Sequence, residues 1–408
     1  MTNKKEQIDF LDLVDDGDVL KLSSSIIEDD ITKEVSKVFD YEFKGSVTEE
    51  IHIPNFPKEF QIGLIVGSSG SGKSTILHNA FGEEKVVDWD RNKAIASHFS
   101  SYQEATEKFG AVGLNSIPTW LKPYNVLSNG EKFRANMARS LEDDAVIDEF
   151  TSVVNREVAI SCSCSISKYI RKKGLKRIVF CSCHDDIIPY LSPDWVYNTD
   201  TTQFFNGRYL CRPKIDVEIV SCTKQAWGMF KKYHYLSGEL NEAANCYGAI
   251  LDDTMVGFVA VLPFPRGGLE HGFREHRLVV HPDYQGMGIG NKLSEAIADV
   301  YVKMGCRYFV KTSNPRIGDH RDKSSLWRKT CKNHKAREDY IGKDGKVKGN
   351  ANKRMSDEKM MFHAHRVCYS HEYIGDGRTY PFTYQTQQSI QEKKVIGQMT
   401  FDDLLGGI

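Results

Sequence analysis

At 408 residues the chain is long enough for two or three ordinary domains, each with a sizeable core. Apolar residues make up 40% and charged residues 27%, a balance that excludes a disordered chain. The net charge of −1 hides an asymmetry: residues 1–212 carry 25 Lys and Arg against 32 Asp and Glu, and residues 213–408 carry 29 against 23. The longest apolar stretch, Met255–Phe264, is about half of what a membrane-spanning helix needs. The start, MTNKKEQIDF, lacks the apolar core of a signal peptide. The expectation is a cytoplasmic protein with no membrane segment, whose ten cysteines are reduced thiols and not a disulfide framework.

In chain order, residues 1–30 are acidic and weakly patterned and read as a mobile arm. VFDYEF and EEIHIP, within Ile31–Pro54, alternate as strands do. Phe60–Gly67 is a short apolar run ending in glycine, which suits a buried strand, and a helix follows from Lys73. Asn115–Leu141 reads as loop and then helix, Asp144–Phe150 as a short strand, Glu157–Lys173 as a helix and Lys176–Ser182 as another buried strand. Strands alternating with helices predict an α/β domain with a largely parallel sheet. The pattern changes at Cys211–Asp216, around Pro213. Beyond it DVEIVSC, CYGAILD, TMVGFVAVL and EHRLVV read as successive strands, Met287–Met304 as a helix and Arg307–Thr312 as a strand. The expected domains are therefore 31–212 and 213–374, with a basic insertion at 319–354 and a tail at 375–408.

Gly67-Ser68-Ser69-Gly70-Ser71-Gly72-Lys73-Ser74, followed by Thr75, fits G-x-x-x-x-G-K-[ST] between a strand and a helix. Glycines let backbone N–H groups curl around phosphate oxygens, and the helix start adds its partial positive charge. Lys73 supplies a point charge for the β/γ-phosphates and Ser74 a hydroxyl for Mg²⁺. These residues are expected to bind ATP. Asp148 ends the run AVID and is placed to hold Mg²⁺; Glu149, one residue on, can polarise an attacking water. His184, at the end of IVFCSC, can sense the γ-phosphate or simply cap its strand.

Leu127-Ser-Asn-Gly-Glu131, followed by KFRANMARSL, resembles the signature motif of ABC ATPases, LSGGQ leading into a helix. The order of P-loop, signature, Asp-Glu and strand-end histidine matches that family over roughly residues 31–210. The resemblance implies that Ser128 and Gly130 contact the γ-phosphate of a second subunit, in an ATP-sandwiched homodimer. Asn129 and Glu131 depart from the motif, and Asn155 stands where the dimer-contacting loop usually has aspartate. No clear Q-loop glutamine is present; Asn115 and Gln103 are the candidates to stand in. The interval between P-loop and signature is short for the family, which implies a trimmed helical subdomain and leaves open a switch that binds ATP and rarely cleaves it. An adenine-stacking aromatic would come from Phe39, Tyr41 or Phe43, each of which also suits a core.

Arg277-Leu-Val-Val-His-Pro-Asp-Tyr-Gln285-Gly-Met-Gly288-Ile-Gly290-Asn291 carries Q-x-x-G-x-G between a strand and a helix, with four strands before it. A dinucleotide fold would place such a loop after its first strand. The segment instead resembles the acetyl-CoA loop of GNAT acyltransferases, over about residues 216–330. The resemblance implies that the backbone of Gln285, Gly286, Met287, Gly288, Ile289, Gly290 and Asn291 cups the CoA diphosphate. It also implies that Val279, Val280 and His281 pair with pantetheine amides, and that Asn314 touches CoA. Candidates for acid–base work are His234 and Tyr235 in KKYHYLSG, with His281 and Ser313 behind them.

Asp319–Arg354 holds 12 Lys and Arg against 5 acids, with Trp327 and Tyr340 interspersed, a composition suited to phosphates and to stacking on an extruded base. Cys331, His334, His363, His365, Cys368 and His371 have ligand-like spacing, but FHAHRVCYSHEY alternates as a strand, which strains a closed tetrahedral zinc site. Cys162, Cys164, Cys181 and Cys183 read as packing thiols. The KYHYLSG and RLVVHPDYQGMGIG segments are similar to GNATs allied to phage Mom-type DNA modifiers. The chain is thus read as an ABC-type ATPase fused to a GNAT acyltransferase that uses ATP, Mg²⁺ and acetyl-CoA and acts on nucleic acid, DNA ahead of RNA. The alternatives are an ATP-dependent DNA-binding switch with a non-catalytic GNAT module, and an acetyltransferase for a protein or small-molecule amine.

Overall fold

The computed structural model describes residues 18–208, 216–234, 239–265, 267–336, 366–379 and 397–399. Its first elements depart from the sequence expectation. Residues assigned to a mobile arm form strand β1 (Asp18–Ser25), antiparallel to β2 (Ser46–Ile53), with Val19 opposite His52 and Ser25 opposite Ser46. Between them the stretch leading into VFDYEF is helix α1 (Asp30–Val38) and a turn. A local cap decides this: Asp29 Oδ1 accepts from the Thr32 amide at 2.8 Å and Thr32 Oγ1 accepts from the Asp29 amide at 2.9 Å. Ile31, Val35 and Val38 then recur at helical spacing on an exposed face. Phe39 and Tyr41 are exposed as well, so neither packs a core.

The apolar run becomes β3 (Ile62–Val66), buried throughout, and passes through the glycine loop into α2 (Lys73–Phe81). There follow α3 (Tyr102–Ala111), α4 (Ile117–Trp120), α5 (Asn129–Ser140) and the two-residue strand β4 (Val146–Ile147). Then come α6 (Arg156–Lys173), β5 (Ile178–Ser182), α7 (Ile188–Leu191), β6 (Trp195–Asn198) and β7 (Gln203–Asn206). The strands order as β4-β5-β3-β6-β7, parallel except for β7, which is the α/β sheet that the alternation predicts. Trp195 anchors the core: Phe81 stacks on it at 5.9 Å and Phe204 at 5.7 Å. Gly63 is required beneath it, because a Cβ there would fall 2.1 Å from the indole.

A second sheet begins with β8 (Val217–Cys222), the short helix α8 (Trp227–Phe230), β9 (Asn245–Leu251), β10 (Thr254–Pro263) and β11 (Gly272–Val280). It continues with α9 (Ile289–Lys303), β12 (Arg307–Thr312), α10 (Pro315–Lys323), β13 (Trp327–Lys329), β14 (Tyr369–Tyr373) and β15 (Gly397–Met399). The order is β13-β14-β12-β11-β10-β9-β8-β15, antiparallel except for the parallel pair β11–β12. Strand β15, in the stretch expected to be a tail, closes one edge of this sheet against β8.

The chain forms two compact units, and they are not collinear with the sequence division. One holds residues 18–88 and 128–208; the other holds 89–127 together with the described residues from 216 onward. The 89–127 segment has apolar packing of its own. Phe109 stacks on Trp120 at 5.6 Å, Phe99 meets Phe109 edge-on at 5.0 Å, and Ile95, Val112 and Leu114 are buried. No helix among the described residues is long and apolar enough to cross a membrane.

Candidate functional sites

In the first unit the site is built by backbone. Gly70 and Gly72 adopt φ of +81° and +84°, a region in which a Cβ is strained, and they turn the chain so that α2 opens at Lys73. Gly72 is the N-cap and offers no side-chain cap, so the first amides of a nine-residue helix point out of the loop. Two residues just after β6 hold the loop from behind. A Cβ at Gly67 would lie 2.0 Å from Thr199 Oγ1, Ser71 Oγ sits 2.5 Å from that hydroxyl, and Asp200 accepts from the Ser68 amide at 2.8 Å and from its hydroxyl at 2.7 Å. These hydrogen bonds from Ser68 hold the Asp200 carboxyl below its usual range. Lys73 folds back and donates to the Ser68 carbonyl. The geometry therefore suits a triphosphate: outward amides, a left-handed cradle and a cation folded over the loop.

Asp148 follows β4 and accepts the Glu149 amide on Oδ1 at 2.8 Å. Glu149 and Thr151 hold φ of +50° and +72°, strained for residues with a Cβ, which is common where a functional site over-determines the backbone. Two residues that sequence reasoning missed crowd Asp148. His78 Nε2 lies 3.9 Å from Oδ2, and Glu84 has its carboxyl raised, by burial first and then by the Asp148 charge. Neither belongs to a local motif. Burial, with Asp148 beside it, also pushes the Cys181 thiol up, so it packs as a neutral group; Cys183, expected to pack likewise, is exposed. His184 Nδ1 is 3.2 Å from Thr151 Oγ1, its amide donates to Ser182 Oγ at 3.0 Å, and burial followed by the Arg156 charge lowers its pKa. It is thus a hydrogen-bonded imidazole at the strand end. Ser128 caps α5 in a reciprocal box: Ser128 N donates to Glu131 Oε2 at 2.9 Å and Glu131 N to Ser128 Oγ at 3.3 Å. The departure at Glu131 thus has a structural use. Asn155 has one too, as the N-cap of α6, accepting from the Val158 amide at 3.0 Å.

In the second unit the site is a split in a sheet. Strands β11 and β12 pair only at Gly272–Arg307, Phe273–Tyr308 and Arg274–Phe309; beyond that point no pairing joins them. Opposite Ala260 and Val261 on β10 stand Arg277 and Glu275, leaving His276 as the extra residue of a β-bulge. The bulge sends Glu275 and Arg277 to different faces. Glu275 accepts from Ser294 Oγ at 2.5 Å and from Arg321 Nη2 at 3.3 Å, in a buried network. Arg277 lies over the Trp227 ring at 5.9 Å, and the His234 ring meets the same indole at 5.8 Å. Between them His276 Nε2 is buried without a hydrogen-bond partner, and burial, then Arg277, Arg274 and His234, pushes the imidazole down to about 4. His276 is the functional candidate that the sequence did not reveal, because the bulge is a property of pairing.

The glycine loop closes the split strand. Gly286 and Gly288 have φ of +96° and +100°, and Gly288 begins the 15-residue α9 with no side-chain cap. Met287 and Ile289 are buried anchors, so the loop presents backbone. A Cβ at Gly290 would press on Val280 Cγ2 at 3.3 Å. Outward amides over a glycine floor fit a diphosphate. Val280 O already accepts one hydrogen bond, from Gln285 Nε2 at 2.9 Å. His281 is engaged too: Nδ1 accepts the Asp283 amide at 3.4 Å and Nε2 is 3.2 Å from Tyr233 Oη. Asn314 Oδ1 caps α10 through the Arg316 amide at 3.0 Å. Tyr235 lies outside the described residues.

Within the described part of the basic stretch, three cations are paired with acids. Arg321 pairs with Glu275, Arg328 with Glu372 at 2.7 Å and Lys329 with Asp322 at 3.6 Å. Trp327 is buried under Arg321 and against Tyr373, so it does not stack on an extruded base; Tyr340 lies outside the described residues. His334 and His371 both approach Asp322, at 2.6 and 2.7 Å, while the Nδ1 of His371 is buried without a hydrogen-bond partner. Among the described residues no group of three or more His, Cys, Asp or Glu is placed to hold an ion. His363 and His365 lie outside them.

No curated protein matches the sequence. Among solved structures, a dimeric bacterial ABC transporter cassette is 16% identical, over 37% of this chain and 87% of its own, with a TM-score of 0.29. A Bacillus subtilis acetyltransferase in complex with CoA is 15% identical, over 39% and 97%, with a TM-score of 0.28. An IAA acetyltransferase from Bacillus cereus is 16% identical, over 38% and 98%, with a TM-score of 0.25. The stretch from residue 213 to 321, which holds the split strand and its glycine loop, matches the model of the acetyltransferase (GNAT) family.

Proposed function

We propose that the chain is an ATP-binding acyltransferase, an ABC-type nucleotide unit joined to a GNAT unit that uses acetyl-CoA. The observation that supports this most is a pair of glycine loops in two separately folded units, each opening a helix from a left-handed, uncapped glycine. In the first unit the amides before Lys73 and its ammonium hold a triphosphate. Ser74 and Asp148 are the residues for Mg²⁺, which when bound offsets phosphate charge. Ser128 and Gly130 serve the nucleotide of a second copy in an ATP-sandwiched homodimer.

In the second unit the acceptor's amine nitrogen attacks the thioester carbonyl carbon, the C–S bond breaks, and the coenzyme leaves as its thiol. The amine must lose a proton on the way. His276 is the base that fits: it is neutral, and its Nε2 lacks a partner. His234, whose ring meets the Trp227 indole edge-on at 5.8 Å, is the second candidate. The positive balance of residues 213–408 favours an anionic acceptor, so nucleic acid, DNA ahead of RNA, is the acceptor proposed. Calorimetry with a non-hydrolysable ATP analogue and with acetyl-CoA, followed by labelled acetyl transfer to DNA, RNA and amine peptides, tests this. Two bound ligands and label on nucleic acid are expected. Binding of one ligand alone removes the bifunctional reading; label on amine peptides alone removes the nucleic-acid acceptor.

A further inference from the structure

Residues 89–127 lie in sequence between the P-loop and the signature motif, yet they fold with the acyltransferase unit. One residue of the segment grips both sides of the split sheet. The Asn115 amide donates to Gln285 Oε1 at 3.0 Å, and Gln285 Nε2 donates to Val280 O at 2.9 Å, so the glycine loop and the end of β11 are tied to Asn115. The Asn115 side chain accepts from Arg316 Nη1 at 2.7 Å, on the helix that follows β12. Arg316 in turn rests on Gly110 of α3, where a Cβ would come within 2.1 Å of Nη1. Asn115 therefore spans the two elements whose separation sets the width of the cleft.

The segment is continuous in the chain with the nucleotide unit at both ends. It leaves that unit after Asp88 and returns at Ser128, whose hydroxyl and amide are fixed in the cap of α5. The signature serine is thus joined directly in the chain to a segment that braces the other site. We infer that Asn115 is a positioning residue of the acyl-CoA site, through which nucleotide binding sets acyl-CoA affinity. This rests on the reading that the first unit binds ATP and the second acetyl-CoA. Linkage makes the effect reciprocal: acetyl-CoA changes nucleotide affinity by the same factor.

Calorimetry on the full chain measures acetyl-CoA affinity without nucleotide and with saturating Mg²⁺ and a non-hydrolysable ATP analogue, and then nucleotide affinity with and without acetyl-CoA. A common factor of about 5-fold or more is expected in both directions, the lower end of ordinary coupling. In Asn115→Ala both ligands still bind and the factor falls towards 1; in Asn115→Asp, which keeps an acceptor for Arg316, the factor is retained. Thermal melts identify a variant that fails to fold, and Arg316→Ala, which cuts the same brace from the other side, then takes its place. Independent binding in the wild type, or a factor unchanged in both Asn115→Ala and Arg316→Ala, overturns the inference. Failure of either ligand to bind the wild type overturns the underlying reading instead, and the inference with it.

Discussion

The two glycine loops solve a similar problem with different surroundings. Each begins a helix at a left-handed glycine, φ +84° at Gly72 and +100° at Gly288, and each turns uncapped amides outward. The first carries its own cation, Lys73, and is backed by the turn that follows β6, at Thr199 and Asp200. The second has no cation between Gly286 and Gly290, stands at the end of a split strand, and is braced by Asn115, 170 residues away in sequence. A triphosphate whose terminal bond is strained by charge calls for a neutralising group inside the loop. A coenzyme held by its diphosphate, with its reactive thioester elsewhere, needs a rigid cradle and a clear cleft.

The largest expected effect separates chemistry from cradle. His276→Asn removes the proposed base and leaves the loop intact, so acetyl transfer should fall by about 100- to 10,000-fold with acetyl-CoA affinity little changed. The pH profile sharpens this. A histidine held at about 4 is already neutral above that pH, so the wild-type rate should show no acid limb between pH 5 and 8 and should fall only as pH drops towards 4. A limb near the ordinary histidine value would point to His234 and remove His276 from the role.

A smaller effect tests whether the two loops act independently as cradles. An alanine at a left-handed position costs about 1–2 kcal/mol, or roughly tenfold in an equilibrium constant. At Gly72 the added methyl group would also meet Ile51 Cδ1 at 2.9 Å. Gly72→Ala should weaken nucleotide binding about tenfold or more while sparing acetyl-CoA binding in the absence of nucleotide, and Gly288→Ala should do the reverse. Paired titrations of both variants check it. Loss of both ligands in either variant would mean that the loops are one folding unit and not two cradles.

What could be read from sequence follows the same division. Both loops were legible because their glycines, and the strand and helix on each side, are local: a buried run such as Ile62–Val66 and a glycine with a forced φ need no distant partner. The succession β8 to β11 was legible from its period of two. His276 was not, since a bulge exists only relative to the partner strand, and HRLVV reads as unbroken alternation. Asn115 was visible as a polar residue in a loop, but its bonds to Gln285 and Arg316 cross most of the chain. Trp327 misled for the opposite reason: composition placed it in a basic stretch, and packing under Arg321 took it inside. The apolar spacing Ile31, Val35, Val38 fitted a helix, and the Asp29–Thr32 cap outweighed the short alternation after it.

The smallest effect concerns Ser128, where one side chain has two proposed duties. Its hydroxyl already accepts from the Glu131 amide, so Ser128→Ala should cost about 1 kcal/mol of stability with or without nucleotide, read as a lower denaturant midpoint. That loss alone says nothing about a partner's phosphate. Ser128→Asp separates the duties, because aspartate caps a helix as well as serine does but brings a negative charge to the position where the γ-phosphate is proposed. Stability should be retained, and association induced by a non-hydrolysable ATP analogue, measured by sedimentation, should be lost. If Ser128→Asp still associates with nucleotide, Ser128 is a cap and nothing more, and the contact it is proposed to make with the second copy's γ-phosphate is removed.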